Sequence, residues 1–154
     1  MASSVRAFAT TTLDGSRYAE PLLAAVDGAL AGDSDEYRAI AAWHDDAIVG
    51  LVVFGETAGA LGAGRIYLIA VDASVRERGV AAQLVDAVCS ELATRGARFA
   101  MIELPGEPHF APLRRLAERK GFREQGRIDH YLREGVPLIL LRRDLGPIRS
   151  GPIS

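Results

Sequence analysis

The stretch that decides the fold runs Ile66-Tyr67-Leu68-Ile69-Ala70-Val71, then Asp72-Ala73-Ser74-Val75-Arg76-Glu77-Arg78, then Gly79-Val80-Ala81-Ala82-Gln83-Leu84. Its first six residues form a nearly continuous apolar run, which is typical of a strand buried on both faces. Residues 72–78 are a polar loop, and residues 80–95 repeat apolar side chains at helical spacing. Because residues 98–104 predict another strand, this segment indicates a right-handed crossover between two parallel strands.

The rest of the chain predicts further strands and helices around the same sheet. They are a strand at 5–11, a helix at 16–30, a hairpin of strands at 37–44 and 48–54, a helix at 110–120, and a closing hairpin at 122–131 and 136–142. This order predicts one α/β (α+β) domain over residues 1–145, with a mixed sheet of about seven strands and helices on both faces. Residues 146–154 are rich in Gly, Pro and Ser, and we expect a flexible tail there.

The composition narrows the class of protein. The chain has 154 residues, 49% of them apolar, which suits one buried core. A net charge of −2 leaves no basic excess for nucleic acid or an anionic membrane. Cys89 is the only cysteine, so we expect neither an intrachain disulfide nor a metal site. Neither a signal peptide nor an apolar run of membrane-spanning length is apparent, which favours a cytoplasmic protein.

The loop before the second predicted helix has the features of an anion site. The first N–H groups of a helix lack intrahelical partners, and the helix dipole adds partial positive charge there. Gly79 removes the Cβ that would keep an anion away from the backbone. Arg76 and Arg78 add two fixed charges with forked donors. Together these residues predict a cradle for a pyrophosphate group.

Other phosphate motifs fit this chain less well. A Walker A loop ends in Gly-Lys-Ser/Thr, and the only lysine is Lys120, far from the loop. Gly59, Gly62 and Gly64 have roughly the spacing of a dinucleotide fingerprint, but they lie between two predicted strands instead of between a strand and a helix. Taken alone, residues 76–81 are equally compatible with an ordinary basic surface turn that caps a helix.

In its context the segment resembles the general N-acetyltransferase (GNAT) superfamily. The signature of that family is Arg/Gln-x-x-Gly-x-Gly/Ala at a strand–loop–helix junction, and this chain has Arg76-x-x-Gly79-x-Ala81 followed by Ala82-Gln83-Leu84-Val85. Residues 116–122 resemble the entry into the sixth strand of the family, and residues 128–140 resemble its final hairpin. The resemblance covers about residues 5–145. It implies a GNAT-like fold and an acyltransferase that uses acetyl-CoA as co-substrate.

The resemblance also implies which residues hold the coenzyme. Backbone amides from Arg78 to Ala82 would bind the pyrophosphate, and the pantetheine arm would lie beside the 66–71 strand. The thioester would lie where that strand splays away from the 98–104 strand. A backbone N–H near Val71 would stabilise the oxyanion. The implied coenzyme-binding residues are Ile69, Val71, Arg76, Arg78, Gly79, Val80, Ala81 and Ala82.

The chain departs from the family pattern where protons are moved. Ala117 stands where the family usually has a tyrosine acid, Phe110 where an asparagine is common, and Arg65 where a glutamate base is usual.

These departures direct attention to other side chains. Glu103, on the strand beside the 66–71 strand, is the candidate base, and Tyr67 and Tyr131 are the candidate acids. For each of the three, structural packing or a solvated ion pair is the alternative.

The predicted function is N-acetyl transfer to an amine of a small molecule or peptide. The alternatives are an acyl-CoA-binding module with weakened catalysis and a regulatory role, and a structural domain that binds no CoA. Acidic residues at Asp33, Asp35 and Glu36 weakly favour a cationic acceptor. Exposed sheet edges favour a homodimer.

Overall fold

A computed structural model describes residues 1–57, 59–76 and 78–146. The elements are α1 (Ala2–Thr12), α2 (Ala19–Ala31), β1 (Arg38–His44), β2 (Ala47–Glu56), β3 (Ala63–Val71), α3 (Val80–Thr94), β4 (Phe99–Pro105), α4 (Ala111–Arg119), β5 (Arg123–Arg133) and β6 (Val136–Asp144). The six strands form one sheet in the order β1-β2-β3-β4-β6-β5, in which only β3 and β4 of the described strands are parallel. Two 3-10 turns, Ala73–Val75 and Pro108–Phe110, precede α3 and α4.

The mixed sheet is confirmed, but the prediction of a seventh strand at residues 5–11 is wrong. That segment is helix α1, and it buries Val5, Ala9 and Leu13. These residues are four apart, so one face of a helix carries all three.

The predicted helix–sheet crossover is confirmed, and α3 ends as its sequence indicates. Gly96 has φ = +83°, in the left-handed region. Its N–H donates to the Ala93 carbonyl at 3.0 Å, and the Ala97 N–H donates to the Leu92 carbonyl at 2.9 Å. These two bonds form a Schellman cap, which satisfies carbonyl groups that the end of a helix leaves free.

Helices cover the two faces of the sheet with separate cores. Helices α3 and α4 pack on one face through buried residues such as Val85, Leu92 and Leu116. Helices α1 and α2 pack on the opposite face, over β1 to β3, through residues such as Val26. We call these the α3/α4 face and the α1/α2 face.

Two glycines of the sheet bring α3 close to β2 and β3. A Cβ on Gly50 would lie 2.9 Å from Val80 Cγ1, and a Cβ on Gly64 would lie 2.6 Å from Leu92 Cδ1. Because both distances are shorter than side-chain carbons tolerate, the position of α3 depends on these glycines. The start of α3 is thereby held against the sheet next to the end of β3.

Part of the sequence-based prediction is not covered by the structure. Of the predicted tail 146–154, only Gly146 belongs to the described residues. Within the described ranges, no helix combines the length and the apolar character that crossing a membrane requires.

Candidate functional site

The parallel strands β3 and β4 stay together for only part of their length. They pair from Ala63–Phe99 to Ile66–Ile102. Beyond that point β3 remains paired with β2 as far as Val71, and β4 remains paired with β6 as far as Pro105. A gap therefore opens between the carboxyl-terminal halves of β3 and β4, where the resemblance to the GNAT superfamily implied that the two strands diverge.

A bulge lies at the start of this gap. The register between β2 and β3 shifts between Val53 and Phe54, which leaves Tyr67 as an extra residue on β3. Since a bulge bends its strand and increases the local twist, it helps to turn β3 away from β4.

The peptide groups of Ile69 and Val71 face the gap. The Asp72 N–H donates to the Val49 carbonyl at 2.8 Å, in register with the β2–β3 ladder. Along an antiparallel pair, the peptide groups point alternately toward and away from the partner strand. Those of Ile69 and Val71 therefore point away from β2, toward the side on which β4 has already diverged.

Helix α3 begins just beyond the end of β3, and its first turn is open. Its N-cap, Gly79, has φ = +80°, and apart from chain neighbours no heavy atom of the described residues lies within 4 Å of where a Cβ would stand. Among the residues that the structure describes, no side chain caps the start of α3 with a hydrogen bond. The N–H groups of Val80, Ala81 and Ala82 thus lack intrahelical partners and lie at the positive end of the helix dipole.

The loop between β3 and α3 is ordered by its own hydrogen bonds. Asp72 Oδ1 accepts bonds from the Ser74 N–H at 2.8 Å and the Ser74 hydroxyl at 2.6 Å. These two bonds, the hydroxyl's first, lower the pKa of the Asp72 carboxyl.

The loop offers an anion the side chains of its two arginines but not the backbone N–H of Arg78. The Arg78 N–H donates to the Val75 carbonyl at 3.2 Å, so this predicted anion-binding amide is engaged within the loop. The side chains of Arg76 and Arg78 are exposed beside the helix start. They are therefore available to an anion as charges, while the free amides come from the helix itself.

A cavity of about 390 Å³ occupies the gap between β3 and β4. Its walls include Tyr37 and Leu68 from the core of the α1/α2 face and Ile69 and Leu113 from the core of the α3/α4 face. The cavity therefore connects the two faces of the sheet. The full lining is Tyr18, Pro21, Leu22, Ala25, Tyr37, Arg65, Ile66, Tyr67, Leu68, Ile69, Ile102, Glu103, Leu104, Pro105, Phe110, Leu113, Leu132 and Leu138.

The predicted base and one predicted acid meet in this cavity. Glu103 Oε2 accepts a hydrogen bond from Arg65 Nη2 at 2.7 Å, and their side chains are 29% and 35% exposed. The Arg65 guanidinium carbon lies 4.8 Å from the centre of the Tyr67 ring. Arg65, which replaces the usual glutamate base of the family, thus links Glu103 to Tyr67.

Tyr67 lies in an environment that keeps its phenol protonated. Burial raises the pKa of Tyr67 above its ordinary value, and the nearby positive charge of Arg65 offsets part of this rise. The Tyr37 ring packs against it, with ring centres 4.9 Å apart. A phenol that retains its proton at neutral pH is suited to donate one.

Two further tyrosines of the cavity were not among the predicted site residues. Tyr18 and Tyr37 line it, and the Tyr18 hydroxyl donates to Glu107 Oε2 at 3.2 Å. Burial raises the pKa of Tyr18, and the bond to Glu107 raises it further. The other oxygen of Glu107 accepts a bond from Arg133. Tyr18 lies within the helix predicted at residues 16–30, and in the structure it is the N-cap residue of α2.

The structure does not bring Tyr131 together with Glu103 and Tyr67. Tyr131 is 60% exposed on β5 and does not line the cavity. Between Ile128 and Arg133, β5 leaves its register with β6, and His130 has φ = +54°. The regular alternation of side chains along a strand is lost there.

The acidic loop does not line the cavity. Asp33 and Asp35 line a polar surface depression that shares Tyr37 with the cavity, and Asp35 pairs there with Arg38. Glu36 is exposed and does not line the cavity either. The weak expectation of a cationic acceptor therefore gains no geometric support from these residues.

Helix α4 supplies apolar groups to the cavity. Phe110 and Leu113 line it, whereas Ala117 is fully buried in the core of the α3/α4 face. The sequence of α4, Ala111–Arg119, contains no hydroxyl. Any proton donor of the cavity must therefore come from another element.

As for metals, the described residues hold no group of His, Cys, Asp and Glu side chains able to bind an ion.

The fold and site define an α/β protein whose two central parallel strands separate beside an uncapped helix start. The sequence model of the Acetyltransferase (GNAT) family matches residues 7–122. Because this match covers most of the chain, the chain belongs to the GNAT acetyltransferase family.

Solved structures have the same fold. One is a protein from Desulfovibrio desulfuricans assigned to the GNAT family, with 27% identity, a TM-score of 0.83, and coverage of 94% of this chain and 92% of that one. The aminoglycoside 6'-N-acetyltransferase from Enterococcus faecium has 15% identity, a TM-score of 0.78, and coverage of 97% and 93%. An aminoglycoside 6'-N-acetyltransferase in complex with coenzyme A has 16% identity, a TM-score of 0.76, and coverage of 97% and 93%. No curated protein matches the chain.

Proposed function

We propose that this chain is an N-acetyltransferase that passes the acetyl group of acetyl-CoA directly to the amine of a small acceptor. Membership of an acetyltransferase family supports the reaction class, and a solved relative in complex with coenzyme A supports the co-substrate. The observation that carries the proposal is one juxtaposition. The open first turn of α3 lies beside a strand end whose peptide groups face a gap in the sheet.

The coenzyme would lie along this open edge. The amides of Val80, Ala81 and Ala82 would bind the pyrophosphate, because free N–H groups and the helix dipole both favour an anion there. The Gly79 backbone leaves room for the phosphate to approach, and Arg76 and Arg78 would add charge-assisted bonds.

The rest of the coenzyme would extend into the gap. The peptide groups of Ile69 and Val71 would bond the amide groups of the pantetheine arm, in the manner of a strand added to β3. The thioester would then reach the cavity between β3 and β4.

The reaction needs one base, one acid and an oxyanion site. The neutral amine attacks the thioester carbonyl and forms the new C–N bond. The C–S bond then breaks as the tetrahedral intermediate collapses and releases the thiolate of CoA. A backbone N–H near Val71 would stabilise the oxyanion. Glu103 would take the proton that the amine loses, and Tyr67 would give a proton to the departing thiolate. Tyr131 has no part in this scheme, because it does not line the cavity.

Arg65 is a positioning residue in this proposal. Its bond to Glu103 fixes the carboxylate at the cavity wall, and its guanidinium also packs on Tyr67. Removing one member of a partly buried ion pair leaves the other uncompensated, so the pair should act as a unit.

Calorimetry and a thiol-release assay test the proposal together. Acetyl-CoA should bind, and a panel of primary amines should contain members that accelerate CoA release. The Glu103→Gln variant should lower kcat by about 100-fold or more while leaving acetyl-CoA affinity unchanged. Undetectable acetyl-CoA binding by the wild-type protein would contradict the proposal at its first step.

One observation favours a second candidate function. Ala117, at the place of the usual acid of the family, is fully buried in the core, and α4 offers no hydroxyl. A chain that binds acyl-CoA with weakened catalysis would show this pattern. If acetyl-CoA binds tightly while no amine accelerates its cleavage, the binding module is the better description.

A further inference from the structure

The part of the cavity on the α1/α2 face has an aromatic wall. Tyr18 and Tyr37 line it together with Tyr67. The ring centres of Tyr37 and Tyr67 lie 4.9 Å apart with an angle of 48° between the ring planes. The ring centres of Tyr18 and Phe110 lie 5.7 Å apart in an edge-to-face arrangement. Such a wall favours an apolar or aromatic body, because ring faces and edges gain contact energy beyond simple area burial.

The charges of the cavity cancel within it. Among the described residues that line it, the charged ones are Arg65 and Glu103, and they are paired with each other at 2.7 Å. Glu107, which bonds Tyr18 just behind the wall, is likewise paired with Arg133. The carboxylate that lines the cavity, Glu103, and the one that bonds Tyr18, Glu107, thus each have an arginine as counter-ion.

This balance discriminates between classes of amine. An acceptor with a second ammonium group would bring a positive charge into a half-buried site where neither carboxylate is free to compensate it, which is unfavourable. An amine with an apolar body leaves the Arg65–Glu103 pair intact and fills the tyrosine wall.

The size of the cavity limits the acceptor further. A volume of about 390 Å³ is near the lower end of the roughly 300–1,000 Å³ typical of ligand pockets. In the proposed function, the acetyl group and the end of the pantetheine arm occupy part of this volume. The remaining space suits a body of about one ring.

We infer that the acceptor is a small monoamine with an apolar, preferably aromatic, body and no second cationic group. This inference rests on the proposed acetyl transfer and gives its substrate class. It differs from what the multiply charged aminoglycosides named for two structural relatives would suggest.

The first test compares two amines with the same body. Wild-type protein with saturating acetyl-CoA is assayed for thiol release with 2-phenylethylamine and with 4-(aminomethyl)phenethylamine, which adds one ammonium group to the same ring. We expect kcat/KM to be at least about tenfold higher for the monoamine. Equal or higher kcat/KM for the diamine would overturn the substrate class while leaving acetyl transfer in place.

The second test changes the charge balance of the cavity. Arg65→Gln leaves Glu103 without its partner, so a second ammonium can pair with the carboxylate. The ratio of diamine to monoamine kcat/KM should then rise by about tenfold. In Arg65→Lys, which keeps the positive charge, this ratio should stay close to that of wild type. Arg95→Gln is the matched control, because Arg95 pairs with Glu91 at the opposite end of α3.

The outcomes separate this inference from the proposed function. An unchanged ratio in Arg65→Gln, with an unaltered thermal melt, would refute the role of the charge balance. If neither amine accelerates CoA release but other amines do, the substrate class is wrong and the acetyl transfer stands. If no amine does so, both fall, and acetyl-CoA titration reports whether the coenzyme site survives.

Discussion

Replacing Gly79 by valine should separate coenzyme binding from fold stability. Gly79 has φ = +80° at the start of α3, and Gly96 has φ = +83° just beyond the end of the same helix. Around either position, no described atom other than those of chain neighbours lies within 4 Å of an added Cβ. Gly96→Val is therefore a matched control, with the same backbone strain at the far end of the helix from the proposed site.

The cost to stability should be similar in the two variants. Neither substitution creates a steric clash in the free protein, so the main penalty is holding an L-residue in the left-handed region, about 1–2 kcal/mol. For a chain of this length, each kcal/mol lowers Tm by roughly 2–4 °C. Differential scanning fluorimetry without ligand should therefore show both variants melting roughly 2–8 °C below wild type.

The effect on acetyl-CoA should differ. At residue 79 the valine methyl groups occupy the space through which a phosphate would approach the α3 amides, and the loss of one hydrogen bond to a charged group costs about 1.5–3 kcal/mol. Calorimetry should then show acetyl-CoA Kd rising by roughly 10- to 150-fold in Gly79→Val and staying within about twofold of wild type in Gly96→Val.

Two results would refute this reasoning. Equal acetyl-CoA affinity in Gly79→Val and wild type would show that the start of α3 does not hold the pyrophosphate. Equal weakening in both variants would show that the loss of affinity comes from destabilised helix ends instead of a blocked approach.

Three further variants test other parts of the site. Tyr67→Phe should lower kcat by about 100-fold with little change in acetyl-CoA affinity, and an unchanged kcat would remove Tyr67 as the acid. Because burial raises the pKa of Tyr67, ionisation of this phenol should not lower the wild-type rate below about pH 10. Gly28→Ala places a Cβ 2.7 Å from Tyr37 Cδ2, so thiol-release kinetics should show a higher KM for the amine and unchanged acetyl-CoA affinity, with the strain partly offset by the better helix propensity of alanine. Asp72→Ala removes the two bonds to Ser74, and calorimetry should show roughly fivefold weaker acetyl-CoA binding; unchanged affinity would show that the phosphate loop is ordered without them.

The crossover of β3, α3 and β4 could be predicted because its signals are local. A continuous apolar run, a glycine at each end of the helix and helical apolar spacing agree with one another over residues 66–104. The segment at residues 5–11 lacked such agreement. Its apolar residues satisfy both a two-residue and a four-residue period, and only the packing of Val5 and Ala9 against the sheet decides for the helix.

The site was predictable where it depends on strand register and not where it depends on packing between elements. Glu103 and Tyr67 line the cavity because they lie where β3 and β4 diverge, a divergence that the resemblance to the GNAT superfamily implied. Tyr37 reaches it because Gly28 leaves room for its ring, and no local pattern reports that contact. Tyr131 stays a prediction: it does not line the cavity, and the irregular stretch around His130 disturbs the alternation of side chains along β5.

The departures of this chain from the family pattern agree with one another, because the polar groups of the cavity lie on one face of the sheet and its α4 side is apolar. Helix α4 on the α3/α4 face contributes apolar side chains such as Leu113, and Ala117 is absorbed into the core. Arg65 and Glu103 stand next to Tyr67, on the side of the sheet that α1 and α2 cover. If the chain is an acetyltransferase, both its proton transfers and its choice of acceptor then depend on this one cluster. Exchanging Arg65 should accordingly change acceptor preference and rate together, whereas exchanging Gly79 should weaken coenzyme binding and leave acceptor preference unchanged.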